Sequence, residues 1–144
     1  MIFEKNKFLL NSQLLFASSY PFFAVFGPFI SELFLVLAIL MFVIRAVLNS
    51  NYKYFKNYFT IIYFSSFAYF IINSYFNSKD PILSFQASLF FFRFGLFTLV
   101  IWNLLEEKEN FVKYILSSFL IIILLLIIDS TFQYFNGFNF FGYK

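Results

Sequence analysis

The chain has 144 residues, of which 62% are hydrophobic and 12% charged, with a net charge of +3. An ordinary soluble domain is roughly a quarter charged, and a globule of this length has too little interior to hide so much apolar surface, so lipid has to be the solvent. With neither cysteine nor histidine, the residues also exclude disulfides, thiolate nucleophiles, histidine zinc sites and imidazole acid–base chemistry.

Five apolar stretches succeed one another, each close to the roughly 20 residues a spanning helix needs. The first runs from Phe8 to Phe26 and carries Asn11, Gln13, Ser18, Ser19 and Pro21. Those polar residues are expected to hydrogen-bond between helices, or to satisfy carbonyls freed at Pro21. Gly27 makes the turn and Pro28 opens the second helix, Phe29 to Leu48, since proline suits a first helical turn. Glu32 near its start reads as a paired or snorkelling interfacial residue, and Arg45 near its end as a snorkelling anchor. The third stretch covers Phe59 to Phe76. The fourth covers Ser84 to Leu105, is preceded by Pro81 and holds Arg93 near its middle. Glu106, Glu107 and Glu109 beside Lys108 read as a solvated charge run. The fifth stretch covers Phe111 to Ile128.

The basic residues lie between apolar runs and set orientation, with no nucleic-acid footprint. Lys5, Lys7, Arg45, Lys53, Lys56, Lys108 and Lys113 all fall on one side of the membrane if the amino terminus is inside. Lys79 and Lys144 then face out. The expected topology has a cytoplasmic amino terminus and a periplasmic carboxyl terminus. A competing reading takes the first 19 residues or so as a cleaved signal peptide with a basic start and Ala17-Ser18-Ser19 as the cleavage region. Asn11 and Gln13 weaken such a core, and the apolar run continues past the cut.

Arg93 stands nine positions into the fourth stretch, about 13 Å along a helix rising 1.5 Å per residue. An arginine at that depth costs roughly 2.5–3.5 kcal/mol on insertion scales and so faces protein or water. Two partners are open to it. The structural one is a carboxylate, Glu32 or Asp129, in an ion pair that fixes helix packing. The sharper one is the phosphate of a lipid substrate, which the planar guanidinium fork fits.

No nucleophile elbow, phosphate-binding glycine loop or acidic metal cluster occurs, so no catalytic residue, cofactor or metal site is expected from these residues. The most patterned segment comes after the fifth stretch: Asp129, then Phe132-Gln133-Tyr134, Gly137, Asn139, Phe141 and Gly142. Asp129 marks the helix reaching the interface, and Gln133 stands one turn later on the same face. Gly137 permits a sharp turn, and the aromatic residues anchor the chain at the membrane surface.

That spacing resembles the O-antigen ligase and O-antigen polymerase family of bacterial inner membranes. Pro21 and Gly27-Pro28 are similar to features at the family's first two helices, and Arg93-Phe94-Gly95-Leu96-Phe97 resembles an arginine-led stretch of its fourth. The resemblance spans the whole chain as an amino-terminal portion. It implies a polytopic enzyme of about a dozen helices that transfers glycan from a polyprenyl diphosphate carrier at the periplasmic face. Family members hold essential arginine and histidine residues mainly in or beside a large outer loop further along, which these residues do not contain. Arg93, Asp129 and Gln133 are carried over only as substrate-binding candidates lining a cavity near the outer face.

The expectations are then an all-α polytopic transmembrane helix bundle of about five spanning helices, forming one transmembrane domain over residues 1–144. It should be a multi-pass protein of the bacterial inner membrane, the front part of a longer ligase- or polymerase-like enzyme. Its partners are the lipid bilayer and a lipid-linked glycan, with no nucleic acid, and the oligomeric state is left open. The alternative function is a small non-enzymatic membrane protein, such as a transporter or channel subunit or an accessory protein.

Overall fold

The computed structural model describes residues 2–138, with side chains from Asn6 onward. The protein is all-α. Its helices in chain order are α1 (Ile2–Ala24), α2 (Pro28–Leu48), α3 (Tyr58–Asn77), α4 (Pro81–Phe90), α5 (Phe92–Glu107) and α6 (Phe111–Asn136). α4 and α5 are two pieces of one 27-residue rod, Pro81–Glu107, so the bundle has five rods. Four of these, α2, α3, α4–α5 and α6, are long and apolar enough to cross a membrane. The multi-span apolar architecture is that of a multi-pass membrane protein embedded in lipid. α1 is apolar from Phe8 on, but Lys7, Asn11 and Gln13 sit in its first half.

The helix starts obey local chemistry. Pro28 and Pro81 occupy first-turn positions of α2 and α4, as the sequence predicts. Asn57 caps α3, its side chain accepting from the Phe59 amide at 3.1 Å. Gly27, at φ 130°, makes the reversal between α1 and α2 in a region that other residues rarely adopt. Pro21 lies inside α1, and the helix continues through it.

Three boundaries differ from expectation. α1 begins near the amino terminus, six residues ahead of Phe8, because a helix extends past its apolar stretch where polar side chains reach water. α6 continues two turns past the apolar stretch to Asn136, which keeps Asp129 and Gln133 on one helix, as their one-turn spacing implies. Gly137 closes it in the left-handed conformation (φ 76°), its amide donating to the Gln133 carbonyl at 2.8 Å. The fourth rod is broken at Phe91, where no proline or glycine marks a break.

The core lies between α1, α2 and α5. α2 buries Ser31, Leu35, Ala38, Phe42 and Ala46, a stripe at helical spacing. α5 buries Gly95, Leu99, Val100, Asn103 and Leu104, and α1 presents Gln13 and Ala17, one turn apart. Ala17 and Ala38 are fully buried, so the backbones approach closely, as small residues allow in membrane bundles. α6 lies against α1 and buries Phe111 and Ile122, while α3 pairs with α4 at the edge and buries Thr60 alone. The apolar outer faces of α3 and α6 are the surfaces a bilayer would cover.

Candidate functional site

Arg93 is in the first turn of α5. Its Nη1 lies 2.8 Å from Glu32 Oε2 on the second turn of α2, and both side chains are about a third exposed (30% and 31%). Of the two carboxylates the sequence left open, Glu32 is the one the fold brings to Arg93. The contact is an ion pair by proximity, since no N–H of the guanidinium is aligned on that oxygen, and both Glu32 Oε2 and Arg93 Nε are shielded from solvent without a hydrogen bond. The guanidinium carbon sits 5.3 Å from the Phe90 ring centroid and 5.2 Å from that of Phe94. Two aromatic rings and one carboxylate therefore hold the cation, leaving its Nε edge with donor capacity unused.

Asp129 stands elsewhere. It is half-buried on α6, on the wall of a groove of about 170 Å³ that α6 forms with the end of α1, among Phe22, Val25, Phe26, Leu125 and Leu126. Gln133 is exposed one turn further along. The structure thus joins Arg93 to Glu32, and places Asp129 and Gln133 on a different helix beside a different groove. The motif positions Asn139, Phe141 and Gly142 lie outside the described residues.

A second polar cluster ties together the opposite end of the bundle. Asn103, 2% exposed, is its centre. The Asn103 Oδ1 accepts from Gln13 Nε2 of α1 and from Arg45 Nη1 of α2, each at 3.0 Å. Its Nδ2 donates to Tyr54 Oη at 3.1 Å and to Glu107 Oε1 at 2.7 Å. Arg45 also forms an ion pair with the other oxygen of Glu107. Glu106 accepts from Tyr54 Oη at 2.9 Å, from Trp102 Nε1 at 2.8 Å and from Lys53 Nζ at 2.5 Å. At the rim, Asn6 donates to Asn49 at 2.7 Å and Lys108 donates to Asn11 at 2.9 Å.

One expectation is corrected here and another is extended. Arg45 is no free snorkelling anchor: its guanidinium turns inward to Asn103 and Glu107. Glu106 and Glu107 remain exposed, as a solvated run would be, and each also accepts from groups on other segments. The physical reason is that α1, α2 and α5 converge at this end. A carboxylate one turn beyond a buried asparagine then meets the arginine of the neighbouring helix and gains more there than from water. The expectation that the polar residues of the first helix bond between helices holds for Gln13, which is fully buried. Sequence reasoning missed Asn103 and Tyr54. The signal available was the Asn103–Glu107 pair at one-turn spacing, opposite an arginine equally close to its own helix end.

Outside the membrane-spanning segments, the Lys53 ammonium is held above its ordinary pKa by its hydrogen bond to Glu106, and burial pushes the Tyr54 phenol up. With two cations facing two carboxylates, the cluster is charge-balanced and acts as a clasp. No group of acidic side chains among the described residues could hold a metal ion.

Comparison with protein-family models, with curated proteins and with solved structures found no match in any of the three.

Proposed function

We propose that this chain is the amino-terminal membrane part of an O-antigen ligase- or polymerase-like enzyme, which transfers glycan from a polyprenyl diphosphate carrier at the periplasmic face of a bacterial inner membrane. One observation carries this reading. Arg93 sits at the end of the bundle opposite the clasp, against two aromatic rings, with its Nε edge unmatched by any acceptor among the described residues. An anionic phosphate oxygen is the ligand such an edge suits, and Glu32 sets the orientation of the fork. The Asp129-to-Gly137 pattern, carried on the last helical turns of α6, supports the same family by resemblance.

In this reading α1 is a fifth crossing, the clasp faces the cytoplasm, and the Arg93 end faces the periplasm. The cationic side chains gathered at the clasp end (Lys7, Arg45, Lys53, Lys56, Lys108) fit the bias of basic residues toward the cytoplasmic side. Arg93 binds and Glu32 positions; the groups that break and form the glycosidic bond belong to the rest of the enzyme.

The test is Arg93→Ala at the chromosomal locus, read as surface polysaccharide on a gel and as lipid-linked glycan in membrane extracts. The expected result is loss of the surface polymer by tenfold or more, on the order of 1.4 kcal/mol per decade, with build-up of the carrier-linked precursor. Normal polymer from a normally abundant variant would remove the substrate role of Arg93, though not the family assignment.

A further inference from the structure

The rod from Pro81 to Glu107 is broken at Phe91, two residues ahead of Arg93, yet the local sequence Leu89-Phe90-Phe91-Phe92 contains no helix breaker. With no proline or glycine–serine pair at the break, a side chain or water entering the hydrogen-bond ladder is a recognised cause. That side chain is Tyr63 of α3. Its hydroxyl donates to the Phe91 carbonyl at 3.2 Å. Its ring occupies the space where other residues would carry a side chain at position 95: a methyl group built on Gly95 would stand 2.0 Å from Tyr63 Cε1. Across the break the ladder tightens to bonds three residues apart, from the Phe91 amide to the Ser88 carbonyl and from the Phe94 amide to the Phe91 carbonyl, each 3.1 Å.

Further ring contacts between α3 and the rod lie beside the break, while Ser74 and Ser88 join the two through their hydroxyls earlier on α4. The Phe92 ring is gripped by Phe64 and Phe67, with centroids 5.2 and 5.5 Å apart. Tyr63 also stands between two grooves, of about 430 and 360 Å³, and lines both. Replacing tightened turns by regular α-helix rotates the downstream helix by about 20° per residue, the difference between 3.0 and 3.6 residues per turn. Arg93 is the first charged group after the break, and its ion pair with Glu32 requires one azimuth.

We infer that Tyr63 is a positioning residue: wedged against Gly95 and bonded to the Phe91 carbonyl, it keeps α4 and α5 as separate helices and thereby sets the Arg93 guanidinium against Glu32. The inference stands whether Arg93 meets a glycan carrier or only Glu32, so its failure and the failure of the proposed function are separable.

Arg45 and Arg93 are the arginines of the chain, so ¹⁵N-arginine labelling of the protein in lipid nanodiscs yields a side-chain Nε signal from each, assigned with Arg93→Lys. In Tyr63→Ala the Arg93 signal should move or broaden while that of Arg45, held by the distant clasp, stays in place. Tyr63→Phe keeps the ring on Gly95 and should restore most of the native position. An unmoved Arg93 signal in Tyr63→Ala overturns the inference. If both signals move, packing has failed generally and Gly95→Ala decides, because it pushes on the ring from the other side. A displaced Arg93 signal there, with Arg45 unchanged, supports the wedge; an unchanged one overturns it.

Discussion

Asn103 uses its full hydrogen-bonding capacity, two bonds accepted and two donated, on partners from α1, α2, the 49–57 connection and its own helix. Asn103→Leu would leave the Gln13 amide and the Tyr54 hydroxyl short of partners in a buried setting, and each such loss costs about 1–3 kcal/mol. The expected loss of stability is about 2–6 kcal/mol by the same reckoning, measured by titrating sodium dodecyl sulfate into the protein in mild-detergent micelles. Lys53→Met removes an exposed ion pair with Glu106 that solvent and salt screen, and should cost far less than the Asn103 change. Equal losses in the two variants would show that the clasp is not centred on Asn103. At this scale the sequence revealed the types of group but not the pairs. Gln13 and Asn103 are 90 positions apart, and no periodicity links two residues on different helices.

The starts of α2 and α4 were legible because a proline's effect is local. Pro28, Asn57 and Pro81 each act within one turn of themselves, and Gly137 ends α6 by its own left-handed backbone. The break at Phe91 was illegible, since its cause lies on another helix. The 49–57 connection shows the same division: its polar composition marks a link, while only the fold shows Lys53 and Tyr54 reaching Glu106. This link has a pH signature. Both groups have folded pKa values raised above the ordinary 10.5 of lysine and 10.0 of tyrosine. A raised value means the folded state holds the proton more tightly, so the contribution is complete below the ordinary pKa and is lost as pH rises through the folded one. The melting temperature should be level from about pH 7 to 9 and fall above about pH 10. Tyr54→Phe combined with Lys53→Met should flatten that fall; an unchanged alkaline slope in the double variant would assign it to other groups.

The bundle as a whole has two unlike ends. One is closed by the Asn103 clasp, and the other holds the Gly27 turn and the Glu32–Arg93 pair. Orientation in the membrane can be read directly because the chain contains no cysteine, which leaves an introduced one as the sole target. Tyr52 at the clasp end and Lys79 between α3 and α4 are both exposed. In the proposed orientation, Lys79→Cys reacts with an impermeant maleimide in intact cells, and Tyr52→Cys reacts only after the inner membrane is opened. The reverse pattern would place Arg93 on the cytoplasmic side and remove the periplasmic reading of its site.

The sequence by itself determined the solvent, the class and the number of rods. Those properties come from apolar runs long enough to span a lipid core and from breakers that act within a turn, all of them local sums over neighbouring residues. Only the tertiary structure decided that Arg93 meets Glu32 and not Asp129, that Arg45 turns inward to Asn103 and Glu107, and that Tyr63 splits the fourth rod. The reason is the same in each case. A polar side chain in lipid must find its partner on another helix, and which helix stands there is set by how the small and large residues of the buried faces pack together.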